Sequence, residues 1–442
     1  MRKQLLIPIA CIAAVLAGAN SYGEVEAPSL KWGGFASLRE GQIVKGEPET
    51  IKKNESPTEF VWVQEMNVGL SLQAAFKNVP AVGHVGAEIA VLNDNSPYEG
   101  DLGVSRRLHF YPFLSRADLV INALEGEYTN LTFDLGYFPY KYNSSVRNLG
   151  EYLFRSGTYP QYLITEVDFP QARLMGIRAG GTLWKNLKWD FLLTTNMEWT
   201  AIGDINLSAL LAWQPHPVFE LGLGGSWCDF LSVFGLNLDK TSPAQEGNDY
   251  IVDGKRYYYT FAGQKLMGRM TLDIKKAIPG WENIFGEEDL KLYSEAAILG
   301  LINYPLSVDS LTQYDTLWQR IPVMFGLNIP TFKLLDVLSF EVEWFGSPYP
   351  NSTNTTRFDN TPIPLSSYGN ERTIPAFRNL HEDDWKWSVY AKRTIMNNFY
   401  IMAQAARDHI RWYRLDYTTM DGKEALRKND EWHYTFKFGY SF

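Results

Sequence analysis

The carboxyl-terminal end of the chain alternates strictly between two kinds of side chain. From Trp432 to Phe442, every even position is aromatic and every odd position is polar or small. Successive side chains of a β-strand point to opposite faces, so this segment forms a strand with one aromatic face and one polar face. An ordinary sheet in water does not need an aromatic face that runs unbroken to the last residue. The segment therefore requires apolar surroundings along one whole side of the strand.

The same alternation recurs further back in the chain. It is found in residues 60–73, 187–194, 205–214, 219–227 and 338–344. Beyond the amino-terminal region, no segment offers the roughly 18 uninterrupted apolar residues of a transmembrane helix. Strands with one apolar and one polar face are typical of a transmembrane barrel, which closes so that no backbone edge faces lipid.

A chain end with Phe442 at the terminus, preceded at alternate positions by Tyr440 and Phe438, resembles the last strand of Gram-negative outer-membrane β-barrel proteins. In that family the strand is the assembly signal, so the resemblance implies that these three residues are read by the barrel-assembly machinery. It also implies an all-β, closed antiparallel transmembrane β-barrel surrounded by membrane lipid. The alternative is an amphipathic edge strand of a secreted β-sandwich.

The first residues have the pattern of an export signal. Arg2 and Lys3 precede an apolar run over residues 5–19, which is too short to span a bilayer. Small residues end this run, and residues 21–23 provide a second cleavage site. We therefore predict a signal peptide over 1–19, with cleavage possible at 23, and a single barrel domain over 20–442. Together with the resemblance, this predicts export to the outer membrane of a Gram-negative cell.

The composition excludes one broad class of function. The chain has 41 Lys and Arg against 50 Asp and Glu, a formal net charge of −9. It therefore has no excess of cations with which to neutralise a phosphate backbone, and we predict no nucleic-acid partner. Aromatic residues make up 14% of the chain, which is typical of a β-rich protein with aromatic rings at a membrane interface.

About sixteen segments have strand character, and the connections between them alternate between short and long. Short turns belong to the periplasmic side of such a barrel and long loops to the exterior. Two connections depart from this alternation, 198–203 and 275–288, and the second is expected to carry a helical turn near 281–285. Fourteen and eighteen strands therefore remain alternatives. The predicted strands are 30–43, 58–76, 82–92, 116–126, 130–138, 171–183, 187–197, 204–214, 218–230, 258–274, 289–301, 319–329, 337–346, 383–393, 398–408 and 431–442.

One long connection has a special position. In sixteen-stranded porins, the loop between strands five and six folds into the lumen, and residues 139–170 occupy that place. Charges of both signs across a pore create a transverse field that orients polar solutes. An exterior loop lying over the barrel mouth is the alternative. By resemblance, the charged residues of a constriction are Lys141, Arg147, Glu151, Arg155, Glu166 and Asp168.

The predicted inward positions of the strands carry charges of both signs, without the excess of one sign that a strongly selective pore would show. The loop is rich in tyrosine, including Tyr140, Tyr142 and Tyr152. Aromatic faces stack on sugar rings, but packing that anchors the loop to the wall is the preferred explanation. The lumen-wall candidates are Arg178, Lys188, Arg269, Arg320, Glu341 and Glu343.

These features predict an outer-membrane porin that passes small hydrophilic solutes by passive diffusion through a water-filled channel. A saccharide-selective porin and a non-conducting barrel that acts as a surface adhesin or anchor remain open. The six histidines lie in no HExxH motif, and there is no GxSxG motif, so we predict no catalytic residues, no metal site and no cofactor. General porins are commonly trimers, which makes a homotrimer the assembly to test.

Overall fold

The computed structural model describes most of the chain between residues 28 and 442. The described residues are 28–45, 61–76, 79–94, 107–155, 172–195, 205–231, 249–252, 255–258, 263–301, 316–347, 384–409, 411–413, 420–424, 426 and 428–442. The predicted signal peptide lies outside these residues.

Sixteen antiparallel strands form one closed barrel, in which each strand is hydrogen-bonded to its neighbours in chain order. This confirms the predicted all-β barrel and the count of sixteen. Two further pairs of short strands form separate two-stranded sheets, Asp249–Val252 with Lys255–Tyr258 and Arg411–Tyr413 with Met420–Glu424. The strands are β1 Ser29–Lys45, β2 Val61–Ala75, β3 Ala81–Asp94, β4 Arg107–Glu125, β5 Thr129–Tyr140, β6 Ala172–Leu183, β7 Leu187–Thr195, β8 Ile205–His216, β9 Phe219–Leu231, β10 Asp249–Val252, β11 Lys255–Tyr258, β12 Gly263–Asp273, β13 Lys291–Leu299, β14 Val323–Asn328, β15 Val337–Trp344, β16 Trp385–Ile395, β17 Phe399–Arg407, β18 Arg411–Tyr413, β19 Met420–Glu424 and β20 Trp432–Ser441.

Helical structure in the described residues is confined to single turns. They are α1 (Tyr152–Arg155), α2 (Trp281–Ile284) and the 3-10 turns Ile274–Ala277 and Leu317–Arg320. Helix α2 confirms the helical turn expected in the long connection after β12. No helix among the described residues is long and apolar enough to cross a membrane.

The barrel closes where the last strand meets the first. Strand β20 pairs with β1 and also with β17. Gly34 and Phe442 exchange two backbone hydrogen bonds of 3.0 Å each, so the ladder continues to the final residue. Closure leaves neither of these strands with an open edge.

The two faces of the wall differ as the alternation predicts. Along β20, the aromatic side chains lie outside: Phe438 is 48% exposed and Phe442 is 62% exposed, whereas His433 faces inward and is 2% exposed. In β15, Phe340 is outside and Glu341 is inside. Apolar side chains therefore cover the outer surface, and polar and charged side chains line the inner one.

Strand β4 begins earlier than its sequence suggests. It starts at Arg107, nine residues before the predicted start at residue 116, and its first half pairs with β3. Pro112 lies in this part, and a proline has no N–H to give to a ladder. The described ladder between β4 and β5 begins only at Ala117, so Pro112 lies where β4 has a neighbour on one side. The prediction that residues 93–115 form a loop is therefore wrong at 93–94 and 107–115, which lie in β3 and β4, and residues 95–106 lie outside the described residues.

Strand β5 separates from β4 at a glycine. Gly136 pairs with Asp118, next to the last rung of that ladder, and has a φ of 123°. A Cβ atom at this position would lie 2.3 Å from the carbonyl oxygen of Ala117. Beyond this point β5 continues to Tyr140 alongside β6 alone. The glycine thus permits the turn of the chain away from the wall.

We expect Gly136→Ala to destabilise the barrel, because an L-residue at positive φ costs about 1–2 kcal/mol and the Cβ atom must also displace the Ala117 carbonyl. The measurement is thermal unfolding in detergent, followed by the loss of heat-modifiable migration on a gel. Gly83→Ala is the matched control, since a Cβ atom there meets no atom within 4 Å. Equal unfolding temperatures for the two variants would contradict the role given to Gly136.

Candidate functional site

The segment that follows β5, residues 141–155, bonds to inward-facing side chains on the far side of the barrel. The first partner is Glu295 of β13. Its carboxylate accepts hydrogen bonds from the Tyr142 hydroxyl at 2.6 Å, the Asn143 side-chain amide at 2.9 Å and the Tyr152 backbone N–H at 2.9 Å. Residues from both ends of the segment are therefore held by one buried acid.

The second partner is Glu341 of β15, which holds the middle of the segment. Its carboxylate accepts three successive backbone N–H groups, from Arg147 at 2.6 Å and from Asn148 and Leu149 at 2.8 Å each. The Tyr293 hydroxyl donates a fourth bond at 2.8 Å. Strands β5 and β15 are the fifth and thirteenth of the sixteen, so they face each other across the lumen. The segment therefore crosses the lumen.

Two further acids complete the attachment. The Tyr152 hydroxyl donates to Glu343 of β15 at 2.7 Å, and the Asn148 side chain donates to Asp408 at 2.6 Å. Asp408 directly follows β17. The acids that receive the segment thus lie on three strands or their ends, and hydrogen bonds to carboxylates are stronger than those between neutral groups.

Both of the last two acids also contact a histidine. His409 Nε2 lies 2.5 Å from Glu343, and His433 Nε2 lies 3.0 Å from Asp408. Each carboxylate is shared between a histidine and the segment that crosses the lumen. These two histidine–carboxylate pairs therefore belong to the attachment of the loop.

An apolar cluster fills the space between the segment and the wall. Tyr152 and Phe154 are 4% and 3% exposed, and Phe154 packs edge-on against Tyr140 with ring centroids 5.6 Å apart. Buried rings cannot offer a face to a passing sugar, so packing explains these aromatic residues better than sugar stacking does. The buried members are Phe138, Tyr140, Val146, Leu149, Tyr152, Leu153, Phe154, Leu174, Leu192, Leu210, Met267, Tyr293, Ala297, Leu299 and Met324.

Glu151 is buried beneath the segment. It is 1% exposed, has a φ of 61° and follows Gly150, whose φ is 93°. The Asn143 backbone N–H donates to its carboxylate at 2.5 Å. Burial, together with the negative charge of Glu295, raises the pKa of Glu151 to about 8, against the opposing effect of Lys141. The side chain is thus mainly uncharged at neutral pH. Burial likewise raises the pKa of Tyr142 well above its ordinary value.

The predicted constriction residues have different positions. Lys141 donates to the Val146 carbonyl at 2.8 Å, and Arg147 pairs with Glu288 at 2.6 Å. Glu151 is packed under the segment rather than at its surface. Arg155 ends α1, and its side chain lies outside the described part. Residues Glu166 and Asp168 fall outside the described residues altogether.

The predicted wall residues are also distributed unevenly. Arg178 lies between Asp134 and Asp190, with N–O distances of 2.5 and 2.6 Å, and Arg269 pairs with Glu220 at 2.6 Å. Such pairing keeps the charges of the wall compensated. Lys188 is exposed, and Glu341 and Glu343 hold the loop as described above.

Arg320 is not on a strand. The sequence places it in a strand beginning at residue 319, but β14 begins at Val323, and Arg320 ends the preceding 3-10 turn. There it is buried and donates to the Gly300 carbonyl at 2.7 Å. Pro322, which has no N–H for a ladder, directly precedes the strand and explains the later start.

A cavity of about 790 Å³ lies between the segment and the wall formed by β1 to β4. Lys141 and Arg147 line it from the loop, and His84, Glu88 and Arg116 line it from the wall. Arg173 also lines it, from β6, and no pattern in the sequence singles out Arg116 or Arg173. Among the described residues, no group of three or more His, Cys, Asp or Glu side chains is arranged to hold a metal ion.

Comparison with known proteins gives a match only at the level of solved structures. No protein-family model and no curated protein sequence matches the chain. The barrel is similar to OprB of Pseudomonas putida at high pH, with 9% identity, coverage of 93% of this chain and 94% of that one, and a TM-score of 0.50. Further matches are OmpF of Salmonella typhi in complex with daunomycin (10% identity, 94% and 98% coverage, TM-score 0.46) and a mutant of the Rh. blastica porin (7% identity, 94% and 100% coverage, TM-score 0.42). At such identities the similarity extends to the fold, which is the sixteen-stranded barrel of porins.

We expect Glu341→Gln to loosen the segment, because an amide has one acceptor oxygen where the carboxylate accepts four hydrogen bonds. Hydrogen bonds to a charged group contribute about 1.5–3 kcal/mol, so amide hydrogen exchange at residues 147–149 should speed up by about tenfold or more. Glu127→Gln is the control, since that carboxylate is exposed and pairs with Lys185 in a turn. Unchanged exchange in Glu341→Gln would refute the anchoring role of this acid.

The attachment of the segment should weaken as the pH rises. Because the pKa of Glu151 is about 8 in the folded protein, above its ordinary value of 4.5, the folded state holds the extra proton between these values. The stabilising contribution is complete below pH about 4.5 and is lost as the pH rises through about 8. Hydrogen exchange at residues 142–152, corrected for the intrinsic rate, should show this trend in the native protein and not in Glu151→Gln. An equal pH dependence in both proteins would disprove it.

Proposed function

We propose that this chain is an outer-membrane porin through which small hydrophilic solutes diffuse passively. The observation that carries the proposal is a closed barrel with a polar interior, crossed by a loop segment that is hydrogen-bonded to Glu295 and Glu341 of the opposite wall. A barrel of sixteen strands encloses more space than its side chains fill, so a water-filled path remains. The fold shared with porins supports this reading.

The loop narrows that path on one side. The segment and its apolar cluster lie against β5 to β8 and β12 to β15, and the cavity of about 790 Å³ lies on the side of β1 to β4. Lys141 and Arg147 lie on the loop surface that faces this cavity. In the proposed channel, solutes pass between this surface and the wall, and residues 139–170 form the constriction.

The proposed location follows from the outer surface. Exposed apolar side chains on the strands, such as Leu70, Leu223 and Phe325, suit contact with membrane lipid. We propose cleavage of the signal peptide after residue 19 or 23 and a single barrel domain over 20–442. The outward-facing Phe438, Tyr440 and Phe442 are proposed as the signal for the barrel-assembly machinery, and a homotrimer as the assembly to test.

The competing functions receive less support from the geometry. A saccharide-selective porin needs accessible aromatic faces, but Tyr140, Tyr152 and Tyr293 are each less than 7% exposed. An enzyme would need a free acid–base pair, but Asp408 and Glu343 both hold the loop. We therefore propose a channel without catalytic activity, metal or cofactor. A non-conducting adhesin is tested directly by conductance.

The purified protein reconstituted in planar bilayers should give stepwise ionic currents, because the barrel interior is polar and partly open. A loop deletion that joins residue 141 to residue 152 should raise the size of each step, because the segment obstructs the lumen. Swelling of proteoliposomes in sugars and amino acids of graded size should show a sharp size limit that moves upward in the deletion variant. Absence of current from the native protein would exclude the porin function and leave the adhesin.

A further inference from the structure

The charges that face the cavity are not balanced in sign. Arg116 from β4, Arg173 from β6, and Lys141 and Arg147 from the loop all line it. Among the described residues of its lining, Glu88 has the one acidic side chain. The sequence predicts charges of both signs across the lumen, whereas the lining of this cavity carries mainly positive charge.

The acidic partner of Arg116 is buried behind the arginine, away from the cavity. Arg116 is bonded to Asp118 at 2.5 and 2.9 Å, but the side chain of Arg116 is 35% exposed and that of Asp118 is 0% exposed. The guanidinium therefore lies between its buried carboxylate and the water of the cavity. His84 also approaches the same carboxylate, with an N–O distance of 3.4 Å. A solute in the cavity meets the cation, not the acid behind it.

The loop also presents cations to the cavity. Lys141 and Arg147 line it, and Arg147 pairs with Glu288, whose side chain is 24% exposed. Glu151 of the same segment is 1% exposed.

The wall acids Glu295 and Glu341 are occupied by hydrogen bonds from the segment and are each 1% exposed. The folding of the loop thus leaves its cations at the cavity and buries its own acid, Glu151.

At the remaining acid, the pairing is loose. Arg173 approaches Glu88 with an N–O distance of 3.4 Å, and its guanidinium also lies 5.0 Å from the centre of the Phe113 ring. The side chains of Arg173 and Glu88 are 17% and 13% exposed.

We propose that this cavity is a selectivity site for small anions, that is, for solutes that carry a carboxylate or a phosphate group. Guanidinium and ammonium groups bind both, and several cations on one narrow path raise the local concentration of anions and lower that of cations. The inference rests on the proposed channel function and adds the class of solute that the channel favours.

The test is the reversal potential of the reconstituted protein under a gradient of potassium chloride. The native channel should favour chloride over potassium, and Arg116→Gln, Lys141→Gln and Arg173→Gln should each lower this preference by about two- to fivefold, the effect expected for one partly screened charge. Lys333→Gln removes the same charge from a turn outside the cavity and should leave the preference unchanged. Gradients of potassium acetate and potassium phosphate then separate carboxylate from phosphate as the favoured group.

Arg116→Gln leaves the buried Asp118 without its guanidinium partner and can fail to fold, which heat-modifiable migration on a gel reveals. Arg173→Gln avoids this problem, because its partner Glu88 is partly exposed. A preference for potassium, no preference, or an equal preference in all variants overturns the inference while the porin function stands. No current at all from the native protein overturns the porin function itself.

Discussion

The structure depends on the need of every backbone N–H and C=O group in lipid to find a partner within the protein. A sheet satisfies this need only when its first and last strands meet. Here β1 and β20 meet through the reciprocal backbone bonds of Gly34 and Phe442. Closure fixes the direction of every strand side chain as outward or inward. The apolar residues of the alternating pattern therefore lie on the outside, toward lipid, and the polar residues lie inside, toward water.

A second constraint arises inside the barrel. Sixteen strands enclose more space than their own side chains fill, and a buried carboxylate without partners is costly. The segment after β5 meets both requirements, because its apolar residues fill part of the lumen and its N–H groups donate to Glu295 and Glu341. The loop and the wall acids therefore stabilise each other, and neither arrangement is favourable without the other.

Much of the barrel could be predicted from the sequence, because lipid on one side and water on the other impose a period of two on each strand. Strands such as β8 and β20 were located to within two residues at each end. The start of β4 was missed because a proline is unfavourable in a strand with neighbours on both sides. The sequence does not show that β4 pairs with β3 alone at Pro112. The two small hairpins outside the barrel were missed because their strands, of three to five residues, are too short to show a clear alternation.

The candidate site was harder to predict. A charged loop was expected from its place between strands five and six, but Glu151 was given a role at the pore surface and lies beneath the loop. No local pattern distinguishes Glu151 from Arg147, because the difference depends on which wall residues each one meets. Arg116 was overlooked for the same reason. Its contact with Asp118 and the approach of His84 to that acid depend on the pairing of β3 with β4, which the sequence does not show.

The sequence by itself determined the two-faced strands and their order, because the alternate residues of each strand reflect its surroundings and antiparallel neighbours follow one another along the chain. It favoured sixteen strands, and only the closed barrel excluded fourteen and eighteen. Only the tertiary structure decided which inward-facing charges meet. The contact between Asn148 and Asp408 joins residues 260 positions apart, and it exists because barrel closure brings β17 within reach of the loop. Such contacts depend on the curvature and register of many strands together, and no single segment of the sequence determines these quantities.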